Sequence, residues 1–181
     1  MGSRAVFIDR DGTINKNTGY IDSPDRFEIY PGVAEGIKKL KDNGFKIIII
    51  TNQSGIARGF FTVENLDEIH KKMNDILAKK DVKVDAIYFC PHHPDEKCDC
   101  RKPNTALFEK AIKEHNIDTY SSYMIGDRML DVEAGSKIGV KTVLVPEKKD
   151  MVKKEIEESE INPDYISKDF MSGAEWIIEN K

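Results

Sequence analysis

Cysteine is scarce in this chain of 181 residues, and its three copies, Cys90, Cys98 and Cys100, all fall in one short stretch. An odd number so clustered argues against a disulfide framework and, in a reducing compartment, favours metal binding. Long apolar runs are also missing. No segment approaches the roughly 20 residues that cross a bilayer, and Met1-Gly2-Ser3-Arg4 leads straight into a strand pattern without the apolar centre of a signal peptide. A cytoplasmic protein with no membrane partner is expected. There is no basic excess either: the formal net charge is -4, and lysines and arginines are interspersed with acids rather than gathered into an arm. That speaks against a nucleic-acid partner. Neither repeats nor low-complexity tracts interrupt the chain, whose length suits one domain with its own core. A single domain over residues 1–181 and a monomer are expected.

What is present begins with Ala5-Val6-Phe7-Ile8, a short apolar run that reads as a buried strand and delivers Asp9-Arg10-Asp11-Gly12-Thr13 at its end. At strand spacing Asp9 and Asp11 project to one side and Arg10 to the other, while Gly12 lets the backbone turn and approach a ligand closely. This arrangement suits one nucleophile beside one acid/base. A carboxylate attacking phosphorus gives an aspartyl-phosphate, and a neighbouring carboxyl can protonate the leaving oxygen and later activate water.

A long loop from Ile14 to Tyr30 follows and is a candidate substrate-facing segment. Pro31-Gly32 then opens a helix with Val33, Ile37 and Leu40 on one face, ended by Asn43-Gly44. Phe45 to Ile50 is too continuously apolar for a half-exposed strand and reads as buried on both faces of a parallel sheet, ending in Thr51-Asn52-Gln53-Ser54-Gly55. Leu66, Ile69, Met73, Ile76 and Leu77 mark an amphipathic helix; His70 lies on it and carries no assigned role. Ala86 to Phe89 forms a third strand, Leu107 to Ile112 another helix with His115 near its end, and Ser122 to Ile125 a fourth strand closed by Gly126-Asp127. A helix from about Asp131 to Ile138, a strand over Lys141 to Val145, a solvated charged helix within Glu147 to Glu160, and a closing strand and helix complete the pattern. Alternating strands and helices imply a three-layer α/β fold with a Rossmann-like parallel sheet, whose ligands sit beyond the C-terminal strand ends.

At those ends, Thr51 and Asn52 are placed to hold phosphoryl oxygens, and Lys102 in Arg101-Lys102-Pro103 to neutralise a transferring phosphoryl group. Asp127, within Gly126-Asp127-Arg128-Met129-Leu130-Asp131, joins Asp9 as an all-oxygen Mg²⁺ site. Each signal is weak alone; their order along the chain carries the force. Cys90-Pro91-His92-His93-Pro94 followed by Cys98-Asp99-Cys100 supplies three thiolates and at least one imidazole. That donor set suits a closed, structural Zn²⁺ site spanning residues 90–100 that presents Arg101 and Lys102.

The ordered set of Asp pair, strand-end Thr, lone Lys and acidic pair resembles the haloacid dehalogenase superfamily of phosphotransferases. That resemblance implies Asp9 as nucleophile, Asp11 as general acid/base and backbone-carbonyl ligand of Mg²⁺, Thr51 and Lys102 as phosphoryl stabilisers, and Asp127 as a Mg²⁺ ligand. Asp131 would orient Lys102 or a metal-bound water. Asp-Arg-Asp-Gly-Thr-Ile-Asn, Thr-Asn-Gln-Ser-Gly-Ile-Ala-Arg-Gly and the cysteine loop further resemble the capless heptose-bisphosphate phosphatases of that superfamily, over nearly the whole chain. The resemblance implies removal of the C7 phosphate of a phosphorylated sugar, places the fourth zinc ligand at His92 rather than His93, and puts Asn17, Thr18, Gly19, Tyr20, Thr51, Asn52, Gln53, Ser54, Arg101, Lys102 and Arg128 against substrate. This sequence departs from the pattern in its short segment between His93 and Cys98 and in having Arg128 where a Lys is common. Histidinol-phosphate phosphatases share the motifs and are the nearest alternative, with a non-catalytic zinc-loop protein further off. Arg101 and Arg128 favour the bisphosphate, because a second phosphate needs charge that cationic histidinol does not.

Overall fold

The structure, a computed structural model, describes residues 2–181; Met1, the first residue of the expected domain, lies outside them. Six strands form one parallel sheet: β1 (Ala5–Ile8), β2 (Lys46–Asn52), β3 (Ala86–Cys90), β4 (Tyr123–Gly126), β5 (Lys141–Leu144) and β6 (Tyr165–Ile166). Their order across the sheet is β3-β2-β1-β4-β5-β6. The chain therefore builds outward from β1 in one direction, then returns to start again beside it at β4. The crevice between β1 and β4 is the point where the winding reverses and where such sheets bind ligands.

The helices are α1 (Val33–Asp42), α2 (Val63–Ala78), α3 (Ala106–His115), α4 (Met129–Lys137), α5 (Lys149–Glu157) and α6 (Phe170–Glu179). Side-chain alternation along the strands divides the core in two. Val6, Ile8, Ile47 and Ile49 pack with residues of α1, α2 and α6, whereas Phe7, Ile48 and Ile50 pack with Phe108 and Ala111 of α3 and Ala134 of α4. Residues 47–50 are isoleucine throughout because both faces of β2 are dry, and each such side chain contributes ~1.5–3 kcal/mol by leaving water. That burial fixes the strand ends in space. No helix among the described residues is long and apolar enough to cross a membrane.

Two elements differ from expectation. β2 outruns its apolar segment by two residues because Thr51 and Asn52 stay in register with Phe89 and Cys90 of β3. Thr51, expected to hold phosphoryl oxygens, is therefore held by a ladder rather than by a loop. The charged segment after Glu147 is not wholly solvated: Val152 of α5 is buried against Met129, Val132 and Leu144. Ile156 of the same helix and Ile161 beyond it pack against this cluster half-buried, so a narrow apolar stripe anchors the charged segment.

Candidate active site

β1 stops at Ile8, and the Asp9 N–H still continues its ladder by donating to the Ile125 carbonyl of β4 at 2.9 Å. Beyond that point the chain turns tightly, with the N–H groups of Thr13, Ile14 and Asn15 all donating to the Arg10 carbonyl. Glycine makes the close approach possible. Gly12 has φ +91°, and a Cβ there would sit 2.4 Å from an Asp127 carboxylate oxygen; a Cβ on Gly126 would lie 2.3 Å from the Asp131 Cβ.

Three acids thus converge. Asp9, Asp127 and Asp131, all buried, offer oxygens within 4.8 Å of one another. Lys102 enters from the segment after the cysteine loop, with its ammonium 2.5 Å from Asp9 Oδ1, 2.7 Å from Asp131 Oδ1 and 2.8 Å from the Ile50 carbonyl oxygen. Burial would lower the Lys102 pKa, but Asp131 and Asp9 outweigh it and raise it. Burial and the Asp131 charge, opposed by Lys102, push Asp9 up to about 7. Asp127 is pushed up to about 9 by burial and by repulsion from Asp9 and Asp131, which one lysine does not cancel. An all-carboxylate pocket with surplus negative charge fits a hard divalent cation such as Mg²⁺.

Asp11 occupies a different environment. Its carboxylate accepts from Arg10 Nη2 at 2.8 and 2.9 Å, Arg10 Nε at 3.2 Å, Asn15 Nδ2 at 3.0 Å and Gln53 Nε2 at 2.8 Å. Burial opposes ionisation there, yet Arg10 and the amide donors hold the Asp11 pKa below the usual carboxylate range. Arg10 does not simply point away, as strand alternation implies: the strand has ended, and the guanidinium folds back onto Asp11. Its Nη1 lies 3.2 Å from His70 Nε2 on α2, a pairing that spacing alone did not reveal.

The remaining candidates sort by what they already hold. Gln53 Nε2 also donates to the buried Thr51 hydroxyl at 2.8 Å. The Asn52 side chain bonds the backbone of Lys102 at both ends, accepting at 3.0 Å and donating at 3.2 Å, so it sets the lysine's position while still bordering the crevice beside Asp11. Asn17, Gly19, Tyr20, Asn52, Gln53 and Ser54 line a crevice of about 220 Å³ together with Arg10 and Asp11. A larger cavity of about 280 Å³, bordered by Tyr30, Glu147 and Lys168, meets the turn after Asp9 only at Gly12 and Thr13; Asp9, Asp127 and Asp131 line neither cavity. Tyr20 stacks obliquely on Phe60, their centroids 4.7 Å apart, which joins the loops after β1 and β2. Arg128 is bound to Glu155 of α5, its Nε donating at 2.8 Å, and so is not the free clamp expected of it. Arg101 Nη1 is buried without a hydrogen-bond partner.

The cysteine loop brings the sulfurs of Cys90, Cys98 and Cys100 to 3.1–3.5 Å of one another, with His92 Nδ1 at 3.1 Å from Cys100 Sγ and 3.6 Å from Cys90 Sγ. These four residues form one ligand group. His93 stands outside it; its Nδ1 instead accepts from the Asp95 N–H.

A reversing parallel sheet whose strand ends carry an acid pair, a buried Thr and a Lys bridged to further acids defines a hydrolase of phosphoric monoesters. Comparisons give the same class: residues 99–172 match the family model described as "HAD-hyrolase-like". The D-glycero-beta-D-manno-heptose-1,7-bisphosphate 7-phosphatase of Haemophilus ducreyi is 44% identical over 149 residues, covering 78% of this chain and 82% of that protein. The probable D-glycero-D-manno-heptose-1,7-bisphosphate 7-phosphatase of Thermoplasma volcanium is 46% identical over 125 residues, 69% and 86% of the two chains. The crystal structure of D,D-heptose 1.7-bisphosphate phosphatase from B. bronchiseptica, complexed with magnesium and phosphate, superposes with a TM-score of 0.89 at 30% identity, covering 98% of this chain and 99% of that one. The chain belongs to the heptose-bisphosphate 7-phosphatase family of haloacid dehalogenase-like hydrolases.

Proposed function

We propose that this chain removes the C7 phosphate of D-glycero-D-manno-heptose 1,7-bisphosphate, with Asp9 as nucleophile. The observation that carries the reading is the convergence of Asp9, Lys102, Asp127 and Asp131 at the strand ends. Family membership favours this substrate over histidinol phosphate, and the committed acid cluster argues against a non-catalytic role.

An Asp9 carboxylate oxygen attacks phosphorus, the bond from phosphorus to the C7 oxygen breaks, and Asp11, which must first take up a proton against the pull of Arg10, delivers it to the departing alkoxide. Asp11 then takes a proton from water, whose oxygen attacks the phosphoryl group on Asp9; the acyl-phosphate P–O bond breaks, releasing inorganic phosphate and free Asp9. Thr51 and Lys102 hold the equatorial phosphoryl oxygens as charge redistributes. Asp9, Asp127 and the Asp11 backbone carbonyl would hold Mg²⁺, which supplies positive charge opposite the phosphoryl oxygens when bound. Asp131 keeps Lys102 in place. Cys90, His92, Cys98 and Cys100 would hold Zn²⁺, whose closed donor set makes it a brace for the segment bearing Arg101 and Lys102. Asn17 to Tyr20 and Gln53 to Ser54 would face the sugar.

Phosphate release on the heptose bisphosphate, histidinol phosphate and simple sugar monophosphates, with the product followed by ³¹P NMR, tests the reading. The C7 resonance is expected to vanish while C1 persists. Loss of the C1 phosphate, or preference for histidinol phosphate, would overturn it.

A further inference from the structure

The geometry points to His70 as a positioning residue for the acid/base step, acting through Arg10 on Asp11; this rests on the proposal that Asp11 performs that step. His70 stands on the buried face of α2 among Leu66, Ile69, Met73 and Leu77, where the helical spacing calls for an aliphatic side chain. It is 7% exposed, and its ring centroid lies 6.4 Å from that of Phe89. A polar ring placed there must have a partner, and its partner is Arg10 Nη1 at 3.2 Å.

Arg10 is 1% exposed, among the most deeply buried large side chains of the molecule. A guanidinium has five donors and no acceptor, so every contact it makes is a donation. Its Nε and Nη2 are spent on Asp11, and its Nη1 on His70. His70 must then accept at Nε2, which makes the imidazole neutral with its proton on Nδ1. The two ends of the guanidinium plane are thus fixed by different elements, the catalytic loop and α2. Removing the α2 end frees the plane to rotate about the Asp11 end. The Asp11 carboxylate, still held by Asn15 and Gln53, would then lose its charged constraint and with it part of the fixed orientation it needs to reach a leaving oxygen and, later, a water. Neither His70 nor the helix bearing it supplies a group to the carboxylate cluster, and the hydrogen-bonded route from His70 to Asp11 runs through Arg10.

The test compares His70→Leu, which deletes the acceptor at similar volume, with His70→Gln, which restores one. Two substrates separate acid/base help from general damage: a sugar phosphate, whose alkoxide needs a proton, and p-nitrophenyl phosphate, whose phenolate does not. His70→Leu is expected to lower kcat on the sugar phosphate about tenfold or more, a part of the ~10²–10⁴ that a positioned acid/base supplies. KM should change less than about twofold by the same reasoning, and the pre-steady-state burst of nitrophenolate should keep its rate. His70→Gln should recover most of the loss. Equal losses in the burst and on the sugar phosphate, or a His70→Leu enzyme with parental kcat, would overturn the inference. Should His70→Leu fail to fold, ¹⁵N NMR of the parent protein decides: His70 must show an unprotonated Nε2, and an Nε2–H tautomer or an imidazolium refutes the chain. Asp11→Asn, run alongside, separates the two readings. If it too leaves sugar-phosphate turnover intact, the acid/base assignment is what has failed.

Discussion

Lys102→Met is the substitution whose consequences the structure sets most narrowly. The side chain is 1% exposed, and its ammonium touches Asp9, Asp131 and the Ile50 carbonyl. Methionine fills the space but leaves two buried carboxylates, with Asp127 beside them, and no cation. Removing one partner of a buried ion pair costs ~3–5 kcal/mol. For a chain of this size each kcal/mol moves Tm by ~2–4 °C, so a fall of about 6–20 °C is expected near pH 7 without added divalent metal. Thermal unfolding by circular dichroism measures it. The double variant Lys102→Met/Asp131→Asn removes one of the stranded charges and should melt above the single variant, a departure from additivity that a contact requires. Mg²⁺ should also restore part of the loss. A single variant that melts within about 2 °C of the parent, where surface changes usually fall, would show that the carboxylates do not depend on this lysine.

Asp9→Asn should abolish turnover while leaving the thermal transition in place, and retained Mg²⁺-dependent activity would remove Asp9 from the nucleophile's role. Asp9 and Asp127 rise in the folded state from 3.8 to about 7 and about 9, so the native protein holds more protons than the unfolded chain across that interval. Their contribution to stability is therefore full below about pH 4 and is lost as pH rises towards 9, while the lowered Asp11 acts in the opposite sense and its contribution is lost on acidification. Melting curves in Mg²⁺-free buffer should show the loss towards alkaline pH, and saturating Mg²⁺ should flatten it; an identical profile with and without Mg²⁺ would count against the cation site. Metal analysis should find about one tightly held Zn²⁺ per chain, and stripping it should loosen residues 90–102 to proteolysis and lower kcat. A zinc-free protein with an unchanged digest and full activity would refute the brace.

The frame of the site was legible because it rests on the strongest sequence signals, continuous apolar runs that end abruptly in polar residues. Ile47 to Ile50 shows both that β2 is buried and where its polar end emerges, and the same holds for Ala5 to Ile8 before Asp9. Side-chain pairings beyond the strand ends were not legible in this way. The Arg10 reading assumed strand alternation past Ile8, where the chain had already turned, so its grip on Asp11 was missed. His70 did leave a signal: a polar ring at the Leu66-Ile69-Met73-Leu77 spacing interrupts an otherwise aliphatic face. Glu155 left none, since one acid among the many in the α5 segment has nothing to mark it as the partner of Arg128. The clamp that Asn52 places on the Lys102 backbone was not legible either, because a strand-end amide has the same appearance whether or not it also holds a neighbouring backbone.

The two arginines expected to share a distal phosphate are not equivalent, and their difference gives the sharpest test of substrate choice. Arg128 donates to Glu155 from a side chain that is 39% exposed, so to take up a phosphate it must first leave that partner. Arg101 has a buried Nη1 with no partner, a position that costs free energy until an acceptor arrives. A charge-assisted bond to phosphate is worth ~1.5–3 kcal/mol, and ~1.4 kcal/mol is a factor of ten. Arg101→Ala should therefore lower kcat/KM on the bisphosphate by about tenfold to a hundredfold while sparing a sugar monophosphate that lacks the distal group. Arg128→Ala forfeits only a half-exposed ion pair, worth ~0–1 kcal/mol, and should show its effect in stability more than in substrate selection. Glu155→Gln completes the comparison: by releasing Arg128 it should improve bisphosphate turnover if that guanidinium can reach the ligand, and leave it unchanged if Arg101 alone reads the second phosphate. Equal losses on both substrates from Arg101→Ala would mean that the orphaned nitrogen serves the transferring phosphoryl group, and the geometric case for a bisphosphate would fall with it.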